Sequence, residues 1–153
     1  MKIRIKELFL SFLIVFLVAF LGSQFTDTGT WYQSVKPNIA PPNYVFPIVW
    51  TILFFLIALS LYFSWIGAKK NQESKVVLVF GINFVLNILW SILFFGLKQP
   101  KIAFFEIMLL WLSIVWMINL SWKIDRRASY LLIPYLLWVS FAMLLNYMIM
   151  LAT

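Results

Sequence analysis

The sequence predicts an all-α integral membrane protein, a single bundle of five transmembrane helices. Only 11% of its residues are charged and 64% are hydrophobic, whereas a soluble domain carries roughly 25% charged residues. With a mean hydropathy of +0.98, the chain cannot hide its apolar surface inside itself and must use lipid as its solvent. The apolar residues also fall into five runs, each near the ~20 residues that a helix needs to cross ~30 Å of hydrocarbon. Finally, the cations between the runs are distributed unevenly, as membrane topology requires.

The runs lie at Leu8–Phe25, Tyr44–Ile66, Val76–Leu97, Ile102–Trp122 and Ser129–Leu151. Backbone groups in lipid must bond within their own segment, and no alternating barrel pattern is visible, so all five are expected to be helices. The first follows Lys2, Arg4 and Lys6, as the core of a signal peptide would. No small-x-small cleavage site follows it, and "GSQF" continues without a break, so a retained helix is the expectation. The connector 26–43 is long and proline-rich, and no repeat or second domain interrupts the chain. With five spans, Lys2, Arg4, Lys6, Lys69, Lys70, Lys75, Lys123, Arg126 and Arg127 gather on the N-terminal face. Lys36, Lys98 and Lys101 lie on the other. If the bilayer is a plasma membrane, the N-terminus is expected in the cytoplasm and the proline-rich connector outside. The net charge of +7 is then mostly topology, and no basic cluster on a soluble domain invites nucleic acid.

Several chemistries are excluded at the start. Cysteine and histidine are absent, which removes thiol nucleophiles, disulfides, thiolate metal sites and imidazole catalysis. The acids Glu7, Asp27, Glu73, Glu106 and Asp125 are scattered singly, so no paired-carboxylate site or calcium loop is legible and no intrinsic cofactor is expected.

Polar and aromatic residues at depth invite a pocket instead. Asn83, Asn87 and Trp90 share one face of the third helix, and Trp138, Ala142 and Asn146 share one face of the fifth, with Tyr135 and Phe141 alongside. At 1.5 Å per residue, Trp50 lies about 9 Å below the connector face, and Trp90 and Asn87 lie at about 10 and about 15 Å. Asn146, Ala142 and Trp138 fall at about 7, about 13 and about 20 Å below the same face. Five of the six lie within about 15 Å of the proline-rich connector's face, half of the ~30 Å of hydrocarbon, and Trp138 lies just beyond. Pro37, Pro41, Pro42 and Pro47 stiffen that segment, so it is expected to form a cover with Trp31 and Tyr32 turned inwards. Blander readings stand beside these. Asn83 and Asn87 serve equally well as interhelical glue, worth about 0.6 kcal/mol per bond. Trp65 and Trp122 read as interfacial anchors, and Glu106, about one turn into its helix, reads as a side chain snorkelling to the interface.

These residues resemble a family. "GSQF" at Gly22–Phe25, "WY" at Trp31–Tyr32, "KP" at Lys36–Pro37, "PP" at Pro41–Pro42 and "FPIVW" at Phe46–Trp50 are followed by "NILWSILFFG" at Asn87–Gly96 and "PYLLWVSFAMLLNY" at Pro134–Tyr147. In this order the chain resembles, nearly end to end, a bacterial member of the translocator protein family, also called tryptophan-rich sensory proteins or peripheral-type benzodiazepine receptors. The resemblance implies a five-helix membrane fold, commonly a homodimer, that binds porphyrins and related tetrapyrroles. It also implies binding of synthetic isoquinoline carboxamides and benzodiazepines under the first connector. Carried onto matching positions, the pocket would use Tyr32, Pro42, Phe46, Trp50, Asn87, Trp90, Trp138, Phe141, Ala142 and Asn146, and the helical-face argument adds Asn83. There are departures. The "WY" to "KP" spacing is one residue shorter than usual, and Phe54 stands where Tyr is common. No Arg or Lys follows Tyr147, which leaves the weak cholesterol-recognition pattern incomplete, so a sterol partner is not expected.

Three functions follow as expectations. The first is a tetrapyrrole-binding protein in which Trp and Phe faces stack on the plate, Asn87 and Asn146 donate to its polar edge and Lys36 meets a propionate. The second is an enzyme-like, light-dependent breakdown of protoporphyrin using Trp50 and Trp138 as the reacting indoles, with the chemistry borrowed from the pigment. The third, transport, ranks last, because no broken-helix pair or ion-coupling carboxylate cluster is present.

Overall fold

A computed structural model describes residues 2–153. Five helical segments are long and apolar enough to cross a membrane: Ile5–Ser23, Val45–Gly67, Glu73–Gly96, Pro100–Ile124 and Arg126–Ala152. The five expected spans are therefore present, each displaced by a few residues at its ends.

Helix α1 (Ile5–Ser23) buries one narrow stripe, Ser11, Val15, Val18 and Gly22, and turns its remaining apolar surface outwards. Such an inverted distribution is what lipid as a solvent allows. The Arg4 N–H donates to the Tyr62 hydroxyl at 3.0 Å, which ties the start of α1 to the end of the next span.

The connector is more structured than expected, because it contains a short helix, α2 (Thr30–Val35). Its entry is a local turn in which the Asp27 Oδ1 accepts from the Gly29 N–H at 2.8 Å. A Cβ at Gly29 would sit 2.8 Å from that same oxygen, so glycine fits here without a clash. Asn43 Nδ2 and Gln33 Nε2 both donate to the Thr28 carbonyl, at 3.3 and 3.2 Å, and fasten the two ends of the connector together. Helix α3 (Val45–Gly67) then starts with Pro47 in its first turn, where a missing N–H costs nothing.

Helix α4 (Glu73–Ser91) does not run straight to its end. It widens into a π-helical turn at Ile92–Gly96, sealed by Leu97 N–H to Ile92 C=O at 2.7 Å. A tight turn at Lys98 leads to α5 (Pro100–Ile124), which has Pro100 in its first turn. The last span is made of two pieces, α6 (Arg126–Leu131) and α7 (Ile133–Ala152), joined at Leu132 just before Pro134. Proline forbids the preceding turn from continuing undisturbed. The span therefore begins at Arg126 and not at Ser129, with Asp125 capping it by accepting from the Arg127 N–H at 2.9 Å.

Helix α5 is the centre of the bundle and packs on α4, α6 and α7, while α1 lies against α3 and α4. Ile57, Phe80, Ile107, Ile114, Met117 and Tyr135 form the main core. A second cluster, Tyr32, Phe94, Phe95, Ala103 and Ile149, sits directly under the connector. Near the N-terminal face, buried serines stitch the spans: Ser64 to Ser121 at 3.0 Å, and Ser60 Oγ donating to the Ala128 carbonyl at 2.8 Å. In contrast, α3 and α7 barely touch and leave an open apolar groove lined by Val49, Ile52, Leu137 and Phe141.

Lys98 has a φ of 53°, the only positive φ among the described non-glycine residues. A side chain in that left-handed region costs about 1–2 kcal/mol. Lys98→Gly should therefore raise the thermal unfolding midpoint in detergent, and Lys98→Val should lower it, because a β-branched side chain is worst placed there. Equal midpoints for the two variants would show that the turn relaxes.

Candidate functional site: a roofed aromatic cavity

Beneath the connector lies a cavity of about 190 Å³. Its walls come from α1, α3, α4 with its π turn, and α7, and its roof is α2. Of the residues expected at the site, Tyr32, Phe46, Trp50, Asn87, Trp90, Trp138, Ala142 and Asn146 all line it. The indoles and amides of separate spans do converge.

Aromatic contacts hold the roof to the walls. Tyr32 is 3% exposed and meets the Phe46 ring edge-on at 6.1 Å and the Phe95 ring at 5.8 Å. Trp31 packs edge-on to Phe94 at 5.5 Å, and Phe94 stacks on Trp90 at 4.9 Å with only 16° between planes. On the opposite wall Phe46 leans on Trp138 at 5.9 Å, and Trp50 contacts Tyr135 at 6.2 Å. Offset and edge-on geometries of this kind add about 0.5–1.5 kcal/mol per pair beyond the area they bury. Connector and bundle therefore form one aromatic network.

Two hydrogen-bonded sets stand behind these rings. In the first, Asn87 Nδ2 donates to the Tyr135 hydroxyl at 3.0 Å, Tyr135 donates to Asn83 Oδ1 at 3.2 Å, and Asn83 Nδ2 donates to Ser113 Oγ at 2.9 Å. In the second, Trp90 Nε1 donates to Asn146 Oδ1 at 3.1 Å, and Asn146 Nδ2 donates to the Pro100 carbonyl at 2.8 Å. Both sets join α4, α5 and α7. One bond from each of Asn87 Nδ2 and Asn146 Nδ2 is thereby engaged between helices, while both residues still line the cavity.

Two donors inside the cavity have no partner: the Tyr32 hydroxyl and the Trp138 indole N–H, both buried. Burial pushes the Tyr32 phenol above its ordinary value, so at neutral pH it keeps its proton and can donate. A buried donor without an acceptor costs about 1–3 kcal/mol. The cavity is thus chemically incomplete for an occupant with acceptor atoms.

Three expected residues lie elsewhere. Asn83 is fully buried and sits outside the cavity, bonded to Ser113 and Tyr135, so of its two readings the structure selects interhelical glue. Pro42 is on the exposed side of the connector, away from the lining. Phe141 packs against Trp138 at 5.6 Å but faces the outer groove between α3 and α7, so it backs the wall without lining it. Glu106 does not snorkel; at 5% exposure it is buried.

Sequence reasoning also missed residues. Ala19, Gly22 and Ser23 of α1 line the cavity, and a Cβ at Gly22 would stand 3.7 Å from Ser91 Oγ, in ordinary contact. Their small size lets α1 approach α4, and the small-xxx-small spacing of Ala19 and Ser23 was the available signal. Phe94 and Phe95 both face the cavity because the π turn holds an extra residue per turn, which no periodicity argument anticipates.

The chain is similar to known proteins over most of its length. Residues 11–151 match the model of the TspO/MBR family. The chain is 41% identical over 149 residues to the tryptophan-rich protein TspO of Archaeoglobus fulgidus, covering 95% of this chain and 96% of that one. It is 42% identical over 137 residues to the tryptophan-rich protein TspO of Chlorobaculum tepidum, covering 87% of each. The translocator protein of Ovis aries is 30% identical over 134 residues, or 84% of this chain and 79% of its own.

The two polar sets make distinct demands on the fold. Asn146→Leu leaves the Trp90 N–H without its acceptor and removes the bond to the Pro100 carbonyl, and should cost about 1–3 kcal/mol, the range for one orphaned buried group. The thermal midpoint of the detergent-solubilised variant measures this. A midpoint equal to wild type would mean that water replaces the amide.

Proposed function

The chain belongs to the TspO/MBR family, and on that premise we propose that it is a membrane receptor for porphyrins and related tetrapyrroles, held in the cavity under α2. The single observation that supports this most is the pair of unpartnered donors, Tyr32 OH and Trp138 Nε1, set among the ring faces of Phe46, Trp50 and Trp90. A flat apolar ring with oxygen acceptors satisfies both demands at once. Synthetic isoquinoline carboxamides and benzodiazepines answer the same description, since each combines fused rings with a carbonyl. Lys36, the residue that caps the C-terminus of α2, would be the cation to meet an acidic side group.

Size refines the proposal. The cavity's 190 Å³ falls below the ~300–1,000 Å³ of a drug-sized site. A tetrapyrrole therefore enters only with the connector raised, and α2 acts as a lid whose aromatic contacts with Phe94, Phe95 and Phe46 reform around the ligand. The excess of cations on the N-terminal face supports an N-terminus in the cytoplasm of a plasma membrane, with the lid outside.

A second reading has one observation in its favour. Trp50 and Trp138 both line the cavity, so a light-excited porphyrin held there would have indoles within reach to oxidise. Breakdown of the macrocycle would then occur only under illumination.

Titrating protoporphyrin into the detergent-solubilised protein, followed by absorbance and tryptophan quenching, should give a saturable change. Trp138→Ala should weaken binding about tenfold or more, equivalent to ~1.4 kcal/mol, and Tyr32→Phe should weaken it by the ~0.5–1.5 kcal/mol of one hydrogen bond. Asn83→Ala should lower stability without a comparable loss of affinity. An unsaturable signal, or one indifferent to Trp138, would end the proposal.

A further inference from the structure

Glu106 stands apart from everything the cavity uses. It lies inside a membrane-spanning helix, is 5% exposed, and both carboxyl oxygens are buried with no hydrogen-bond partner. Among the described residues the ion pairs are Arg4 with Glu7 and Arg127 with Asp125, and neither involves Glu106. An ionised carboxylate isolated in such a medium costs several kcal/mol or more, and the usual escape is to take up a proton.

Its surroundings are neutral on every side. From α7, Tyr135 lies within electrostatic reach, and a second phenol, Tyr147, packs on Phe104 two residues before Glu106. Helix α4 offers the amides Asn83 and Asn87, and the π turn offers only apolar residues and Gly96. The other charged or phenolic groups on the packed elements lie away from it. Arg126 and Arg127 of α6 sit over Trp122 and Phe63, Tyr62 of α3 receives the Arg4 N–H, and Lys101 is exposed.

Position matters as much as isolation. Along α5, Glu106 is six residues from Pro100 and seven from Ser113, about 9 and about 10 Å at ~1.5 Å per residue. It therefore sits between the two polar sets, with Asn146 on Pro100 above it and Asn83 on Ser113 below. Both sets reach the cavity, through Asn146 and Trp90 on one side and Asn87 on the other. Glu106 itself is not part of the cavity lining, while the polar sets that bracket it along α5 both reach that lining.

We propose that Glu106 is a proton-binding site within the membrane, a carboxylic acid that stays neutral at neutral pH in the space between the two polar sets. An intramembrane carboxyl with no counter-ion is by its nature a candidate functional group, and this one is independent of whatever occupies the cavity. The alternative resident, an alkali cation such as sodium, would need a shell of oxygen ligands; instead, Asn83 Oδ1 already accepts from Tyr135 and Asn146 Oδ1 from Trp90.

Infrared spectroscopy of the solubilised full-length protein at neutral pH tests this directly. The carbonyl band of a neutral carboxylic acid should be present in wild type, shift in deuterium oxide and vanish in Glu106→Gln. The same band in both proteins, or none in wild type, overturns the proposal. Loss of the band on adding sodium chloride in place of choline chloride overturns it in favour of a cation site. Thermal unfolding gives a second reading. A carboxyl favoured in its neutral form by the fold lowers stability as pH rises above the unfolded value of about 4.3. The midpoint of Glu106→Gln should therefore exceed that of wild type by a margin that widens from acid to neutral pH. A constant margin across that range counts against a buried neutral acid.

Discussion

A side-chain amide inside a bilayer has no water to turn to, and the bundle is arranged around that requirement. Asn146 meets it by taking the Trp90 indole hydrogen and giving its own to the Pro100 carbonyl. Asn83 and Asn87 meet it through Tyr135 and Ser113. Apolar packing among lipid-exposed helices is poorly directional, because lipid tails are as apolar as leucine. These few bonds therefore set how α4, α5 and α7 are rotated against one another, and with that rotation they set which indoles face inwards.

The cavity then divides its polar groups by task. Amides that would be natural ligand contacts are committed to structure, while two donors of aromatic residues, one on the lid and one on α7, are left without acceptors. Aromatic side chains suit that role because most of their surface is satisfied by stacking and only one atom is left asking for a partner. Roof and walls share the same rings, so opening the lid strains one continuous network. A ligand that replaces those contacts with its own plate restores what opening costs.

Much of the fold was legible from composition and spacing. Five spans, their order and the position of the proline-rich connector follow from hydrophobic length alone, and counting depth makes a shared chamber for Trp50, Asn87 and Trp138 geometrically coherent, although spacing does not say whether their faces meet. The failures have a common cause. Helical-face arguments say which residues share a side, but not which neighbour that side meets, so Asn83 and Phe141 were assigned to the cavity when one is bonded to Ser113 and the other faces a groove. Short helix α2 was missed because six residues between glycine and proline leave no periodicity to read. The small residues Ala19 and Ser23 of α1 line the cavity, but a small-xxx-small spacing is too common in membrane helices to point to one neighbour.

The widened turn at Ile92–Gly96 has a consequence for how such a chamber can be altered. Removing one residue there would let the span finish as an ordinary helix with the residues on either side kept in register, and the chamber would lose the extra residue that the wide turn holds against it. The membrane-spanning length would be nearly unchanged while the wall beside Phe94 and Phe95 was reshaped. Reshaping of the chamber by single-codon indels, with no penalty in bilayer insertion, is thus built into the geometry of this one turn.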